Sequence, residues 1–191
     1  RPGSIISEGL SWMMRLATER RRMQRAQVVL DQIAGQPFFL LPLQLSSDYQ
    51  IRIHSPFADM RSAAKLIISS FARYAPPGTF LIVKDHPLYS GIRDWGRFVR
   101  RLAAESGMGE RIIHISGGDL GRLSVESRGM VCINSTSGTL ALAAGTPVKV
   151  LGEAIYDMPG ITDQQQLDRF WTAPQAPDPR IWDAFRRVLH A

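Results

Sequence analysis

The sequence lacks the features of several large classes of protein. Its single cysteine, Cys132, excludes an internal disulfide and a zinc site built from cysteines, and we interpret it as a small buried apolar residue. No apolar run approaches the roughly 20 residues of a membrane-spanning helix, and no signal peptide is recognisable. With 45% hydrophobic and 21% charged residues in 191, the chain is expected to be globular, cytoplasmic and neither secreted nor integral to a membrane.

Motifs of common nucleotide-binding and hydrolytic enzymes are also absent. The sequence has no G-x-x-x-x-G-K-[ST], G-x-S-x-G or H-E-x-x-H, and no predicted strand is followed by G-x-G-x-x-G. No Asp-x-Asp pair is present to hold a divalent metal. His54, His114 and His190 have no metal-binding partner at ligand spacing on the same element. We therefore expect no metal site and interpret these three histidines as structural.

Positive charge is abundant and comes almost entirely from arginine. The chain has 20 arginines and three lysines, a formal net charge of +6 and a pI near 10.1. Five of the arginines fall in one short stretch: Arg15, Arg20, Arg21, Arg22 and Arg25. The stretch is either a solvated helix face or a surface for an anionic partner such as a lipid membrane. No nucleic-acid motif accompanies the charge, so we expect no nucleic-acid partner.

Short apolar runs alternate with helical patterns along most of the chain. The runs predict strands at residues 38–43, 80–83, 111–115, 130–133 and 147–151. Helical spacing predicts helices at about 4–33, 57–74, 95–106, 120–126, 138–144 and 179–189. Ser55 with Pro56, Asp94 and Asp178 are the predicted caps, and Pro42 indicates an edge strand or the end of a strand.

This alternation predicts the fold class. Short strands that are apolar on both faces, with helices between them, are typical of a parallel sheet covered on both sides. We therefore expect an α/β domain with a Rossmann-like parallel sheet over residues 37–191. Residues 1–36 are predicted to form an N-terminal basic helix or linker.

Two polar clusters follow predicted strands, and ligands of such sheets bind at the carboxyl ends of the strands. The first is Lys84-Asp85-His86-Pro87, and the second is Asn134-Ser135-Thr136-Ser137-Gly138. Hydroxyl groups and backbone amides at a helix start form an anion-binding site, so the second cluster indicates a phosphate. The alternative is an ordinary Ser/Thr helix cap without a ligand.

The first cluster suits the same ligand. His86 can donate to a phosphate oxygen or protonate a departing phosphate, Pro87 holds the turn, and Lys84 adds positive charge. The alternatives are a loop histidine that is satisfied internally and a lysine that is solvated at a strand end. Glu153 and Tyr156 follow the last strand, where a loop either closes over a ribose or sugar or simply packs.

Several short segments, taken in their order and spacing, resemble one protein family. They are residues 42–50, Lys84-Asp85-His86-Pro87, Asn134-Ser135-Thr136-Ser137-Gly138, 141–142, 145–148, 152–157 and 160–162. From residue 38 to 171, the pattern resembles capsule polysaccharide biosynthesis proteins of the KpsS/KpsC type. Those proteins are similar to bacterial sialyltransferases, with an HP motif and a Ser-Ser/Thr motif that hold CMP, and they transfer Kdo from CMP-Kdo to a lipid-linked acceptor.

The resemblance implies the C-terminal, nucleotide-binding half of a GT-B glycosyltransferase. His86, Ser135 and Thr136 correspond to the CMP-phosphate contacts of the family. We add Lys84, Asn134, Ser137 and Gly138 because they are adjacent to those residues. The implied donor is a CMP-sugar, with no cofactor, and the implied transfer needs no metal.

The resemblance also implies parts that this sequence does not show. The chain opens at Arg1 without a methionine, so we expect a longer protein with an N-terminal domain that supplies the catalytic carboxylate. Asp48 is the one carboxylate in a motif-like setting here, and it either serves catalysis or shapes an Asx-turn. We expect a lipid-linked or glycan acceptor and peripheral attachment to the inner face of the bacterial inner membrane. Alternatives are a UDP-sugar-dependent GT-B or epimerase-like enzyme, or a non-catalytic component of capsule export.

Overall fold

The structure, a computed structural model, describes residues 5–44, 49–86 and 94–189, without the side chains of 5–17 and 49–50. Its strands are β1 (Phe38–Pro42), β2 (Phe80–Lys84), β3 (Ile112–Ile115), β4 (Gly129–Cys132) and β5 (Val148–Val150). Its helices are α1 (Ile5–Gln32), α2 (Tyr49–Ile53), α3 (Met60–Tyr74), α4 (Trp95–Glu105), α5 (Leu120–Glu126), α6 (Ser137–Ala143), α7 (Leu167–Phe170) and α8 (Pro179–Leu189).

The five strands form one parallel sheet in the order β3-β2-β1-β4-β5. Leu40 in the central strand pairs with Ile82 on one side and Met130 on the other. The chain adds strands to one side of β1 and then crosses to the other side with β4. The predicted Rossmann-like α/β fold is therefore confirmed.

Helices cover both faces of the sheet and create two cores. Phe39 and Leu41 of β1 pack with α3, α4 and α7, whereas Leu40 packs with α1, α5, α6 and α8. This division follows from the strand period of two, which sends successive side chains to opposite faces. Because both faces are buried, the strands are almost continuously apolar.

Helix α1 packs on the second core through Ala26, and Ile33 in the turn that follows is also buried there. Arg20, Arg21 and Arg25 are exposed on this helix. No helix in the described ranges combines the length and the apolar character required to cross a lipid bilayer. The predicted boundary between residues 1–36 and 37–191 stays a prediction.

The position of Pro42 decides between its two interpretations. β1 is the central strand, so the edge-strand interpretation is wrong. Pro42 is the last residue of β1, where it pairs with Lys84 in register, and Leu43 N–H donates to Lys84 O at 2.8 Å. A proline at this point ends the strand without interrupting the hydrogen bonds in its middle.

The predicted cap of the third helix is wrong. α3 begins at Met60, and Asp59 is its cap, because the Asp59 carboxylate accepts from Ser62 N at 2.8 Å. Asp59 N–H in turn donates to Ser62 Oγ at 3.3 Å, which completes a capping box. Ser55 Oγ accepts from Phe57 N at 3.3 Å and donates to Ile51 O at 2.5 Å, but the helix does not begin there. Two reciprocal bonds satisfy more terminal amides than the single cap predicted at Ser55.

The other predicted caps are confirmed. Asp94 accepts from Arg97 N at 2.7 Å, and Asp178 accepts from Arg180 N at 2.8 Å. Helices α2 and α7 were not predicted, since five and four residues are too few to show a helical period.

An aromatic cluster closes the first core near the amino ends of the strands. The Trp171 ring lies edge-on to Phe39 and Phe71, with centroids 5.0 and 5.3 Å apart. Trp171 Nε1–H donates to Ser70 Oγ at 2.7 Å, so this buried indole is fully satisfied. The neighbouring Phe170 ring packs against Gly129 at the start of β4.

We predict that Gly129→Ala destabilises the protein by about 1–3 kcal/mol, because overpacking a core forces rings to move. A Cβ at this position would lie 2.7 Å from Phe170 Cζ. Chemical denaturation measures the change. Gly109→Ala is the matched control, since its added Cβ has no neighbour within 4 Å. Equal stability of the two variants would contradict the packing described for Phe170.

We also predict that the Cys132 thiol is inert in the native protein. Burial raises its pKa to about 11, so the reactive thiolate is scarce at about pH 8. Iodoacetamide should alkylate Cys132 in denaturant and leave it unmodified in the native state, as read by mass spectrometry. Rapid native alkylation would show that Cys132 is exposed.

Candidate functional site

The carboxyl ends of β1 and β4 form the switch point of the sheet, where the strand order reverses and ligands of such folds bind. Gln44 follows β1, and Asn134 follows β4. Gln44 Nε2–H donates to Asn134 Oδ1 at 2.9 Å, and Asn134 N–H donates to Gln44 Oε1 at 3.3 Å. Gln44 is only 6% exposed, so these bonds form inside the protein and fix the two loops together.

The hydroxyl cluster begins immediately after Asn134. Ser135 Oγ accepts from Ser137 N at 3.1 Å and from Ser137 Oγ at 2.7 Å, and Ser135 O accepts from Gly138 N at 3.1 Å. Thr136 is exposed at the N-cap position, and its side chain makes no capping bond. Ser135 thus shapes the turn.

Tyr156 contacts this turn from inside the protein. It is 3% exposed, and its hydroxyl donates to the Ser135 carbonyl oxygen. Its ring lies against α6, where a Cβ on Gly138 would be 2.9 Å from Tyr156 Cζ. Burial raises the pKa of the Tyr156 phenol, so it stays a hydrogen-bond donor. Tyr156 and Gly138 therefore join the loop after β5 to the start of α6. The contact of Tyr156 with a sugar and that of Gly138 with the phosphate stay predictions.

The second cluster lies at the end of β2. Lys84 is 5% exposed, which excludes the alternative of a solvated strand-end lysine. Its ammonium donates to Asp85 O at 3.4 Å. Burial lowers the pKa of Lys84, and the nearby negative charges of Asp85, Glu19 and Asp119 oppose this shift. His86 follows two residues beyond β2 and is half-buried.

A cleft of about 580 Å³ opens at the same edge beside β5. Its lining includes His54 and Glu153, whose Nδ1 and Oε2 atoms are 3.0 Å apart. The Glu153 side chain is 78% exposed. The His54 carbonyl oxygen accepts from Glu153 N at 2.7 Å and from Asn134 Nδ2 at 3.4 Å. His54, which was predicted to be structural, thus connects this cleft to the switch point.

The predicted residues share one edge of the sheet. β2 and β4 are separated by β1 alone, so their axes lie about two strand spacings, roughly 10 Å, apart. His86 follows β2 at this edge, and Ser135 and Thr136 follow β4. Contact of these side chains with one ligand stays a prediction. Asp48 and Pro87 lie outside the described residues, and the roles predicted for them stay predictions.

Four residues at this edge were not predicted as site residues: Gln44, Asp85, His114 and His54. Glu153, the partner of His54, was predicted. Gln44 lies within a segment that carries the family resemblance, but a single glutamine after an apolar strand has no distinctive spacing. His114 and Asp85 are 29 residues apart in the chain, and His54 and Glu153 are 99 apart. Only the folded chain brings such residues together. Within the described ranges, His, Cys, Asp and Glu form no group of three that could hold a metal.

Comparison with known sequences identifies close relatives. The capsule polysaccharide modification protein LipB of Neisseria meningitidis serogroup A is 43% identical over 150 residues, which cover 78% of this chain and 36% of LipB. The Escherichia coli capsule polysaccharide export protein KpsS is 37% identical over 172 residues, which cover 90% of this chain and 43% of KpsS. The chain thus spans about two fifths of the length of these relatives.

Two solved structures share the fold, both of Thermosulfurimonas dismutans KpsC. Its β-Kdo 2,7 transferase aligns with a TM-score of 0.50 and 20% identity over 85% of this chain and 47% of that one. Its β-Kdo 2,4 transferase aligns with a TM-score of 0.50 and 16% identity over 86% and 55%. At these identities the likeness concerns the fold alone. The family profile described as "Capsule polysaccharide biosynthesis protein" matches residues 4–191, and the chain belongs to this family.

Proposed function

We propose that this chain is the donor-binding part of a glycosyltransferase that takes Kdo from CMP-Kdo and transfers it to a lipid-linked acceptor of capsule synthesis. The observation that carries the proposal is the Gln44–Asn134 connection at the switch point, with His86 and Ser135 following the strands on either side of β1. Membership of the capsule biosynthesis family supports the pathway. The fold shared with two Kdo transferases supports a nucleotide-sugar donor.

The chemistry of a CMP-sugar matches the side chains at this edge. Breaking the bond between the anomeric carbon and the phosphate oxygen leaves the electron pair on CMP, whose phosphate becomes a monoester dianion. Hydrogen-bond donors placed at that oxygen stabilise the charge as it develops. His86, Ser135 and Thr136 carry the donors, and the buried Lys84 ammonium adds a positive potential because burial weakens its screening by water.

The loop after β5 is suited to the sugar part of the donor. Glu153 extends into the open cleft, where its carboxylate can accept from ribose or sugar hydroxyls. Tyr156 and Gly138 hold this loop against α6, and Asn134 ties it through the His54 carbonyl to the switch point. Ser137 contributes through its two bonds to Ser135.

We infer that the acceptor binds to another part of a longer protein. A base for the acceptor hydroxyl is required, and Asp48 or a carboxylate of another domain would supply it. A glycosyl transfer needs both substrates held in one geometry, so this chain alone should bind its donor without turnover. We propose that the transfer is metal-independent, because the phosphate donors above take the role that a metal ion has in other transferases.

The test of this proposal is calorimetric binding of CMP to the chain. The wild type should bind CMP, and His86→Ala and Ser135→Ala should each weaken binding about 10-fold or more, because each removes a donor to a charged phosphate. UMP should bind more weakly than CMP, since a cytosine donor is expected.

Ser69→Ala is the matched control for the serine variant, because Ser69 is an exposed residue of α3. It should bind CMP like the wild type. Equal CMP binding by the wild type and His86→Ala would refute the site, preference for UMP would indicate a UDP-sugar enzyme, and binding of neither nucleotide would favour a non-catalytic export component.

A further inference from the structure

Two partly buried polar side chains pair directly before His86. His114 Nε2 and Asp85 Oδ1 are 2.8 Å apart, and the two side chains are only 12% and 11% exposed. A carboxylate has no proton to give, so the His114 ring donates from Nε2. Asp85 is the residue immediately before His86, so this hydrogen bond ends one peptide unit from the proposed phosphate-binding histidine.

The main chain of Asp85 is held by the same neighbouring strand. Asp85 N–H donates to Ile115 O at 2.9 Å, and Val83 pairs with His114 in the β2–β3 register. Asp85 therefore has two anchors on successive residues of β3, one through its side chain and one through its backbone. Together they fix where the chain leaves the sheet toward His86.

The His114 ring has little room to reorient. On its other side lies α4, where a Cβ added to Gly96 would be 3.2 Å from His114 Nδ1. That distance is tighter than ordinary van der Waals contact, so the absence of a side chain at Gly96 lets α4 approach the imidazole. Packing between β3 and α4 thus sets the direction of the Nε2–H bond.

We propose that His114 is a positioning residue for His86 in the donor site, acting through Asp85. This inference rests on the proposed function. Without His114, the partly buried Asp85 carboxylate would lose its side-chain hydrogen bond, which is costly enough for it to turn toward water and shift the main chain before His86. His86 would then lose its position although its own side chain is unchanged.

The experiment compares His114→Phe with His114→Gln. Phenylalanine fills the space of the ring without a donor, whereas the glutamine side-chain amide can still donate to Asp85. His114→Phe should weaken CMP binding about 10-fold and accelerate hydrogen exchange at the Asp85 and His86 amides. His114→Gln should restore most of both properties, which a role in packing alone would not explain.

Asp168→Asn is the matched control, because it alters another partly buried carboxylate that accepts a side-chain bond, from Ser70 Oγ at 2.6 Å. That pair lies beside Trp171 in the aromatic cluster near the amino ends of the strands. Asp168→Asn should lower the melting temperature and leave both CMP binding and exchange at Asp85 and His86 unchanged.

Wild-type CMP affinity and wild-type exchange in folded His114→Phe would overturn the proposal. If His114→Phe does not fold, Gly96→Ala replaces it, because the added methyl presses on the same ring. Gly96→Ala should weaken CMP binding several-fold relative to Gly109→Ala, and equal binding would overturn the proposal. Failure of the wild type to bind CMP would refute the proposed function instead, while the exchange rates still decide whether His114 holds Asp85 and His86 in place.

Discussion

Two hydrogen bonds between Gln44 and Asn134 join segments that are 90 residues apart in the chain. They form where the strand order of the sheet reverses. Because the strands are parallel, the loops after β2, β4 and β5 lie at the same edge of the sheet. Because Gln44 is buried, its amide would be costly to leave unpaired, so the connection is maintained whenever the sheet is intact. The proposed donor site is built around this fixed point.

The remaining site residues extend from that connection in two directions. Toward β5, the His54 carbonyl oxygen accepts from both Asn134 and Glu153, which places the Glu153 carboxylate in the open cleft. Toward β3, Asp85 is held by His114 and Ile115, just before His86. The groups proposed to touch the nucleotide thus sit on loops, while buried hydrogen bonds to the strands limit how those loops can move.

Most of the fold follows from local sequence signals. The apolar runs, the helical spacing around α4 and α5 and the caps at Asp94 and Asp178 all act over a few residues, so the sequence reveals them directly. The order of the strands does not follow from local signals, because packing between distant segments determines which strands pair with β1. The start of α3 shows that two local signals can compete, since the reciprocal box of Asp59 and Ser62 begins the helix in place of the cap predicted at Ser55.

Some residues of the candidate site could likewise be found from the sequence, and others could not. Asn134, Ser135 and His86 could be selected from the sequence because each follows an apolar strand in a polar cluster. Gln44, His114 and His54 could not be selected, since what makes them informative is a partner across the sheet edge. The burial of Lys84 could not be predicted from the sequence either, because a lysine at a strand end is usually solvated.

In the proposed donor site, His86 and the hydroxyl groups of Ser135 and Thr136 bind one phosphate. The most direct test is a crystal structure of the chain with CMP bound. We expect phosphate oxygens within about 3.2 Å of the His86 imidazole and of a hydroxyl of Ser135 or Thr136. CMP bound elsewhere, or a phosphate that reaches only one of the two loops, would contradict it.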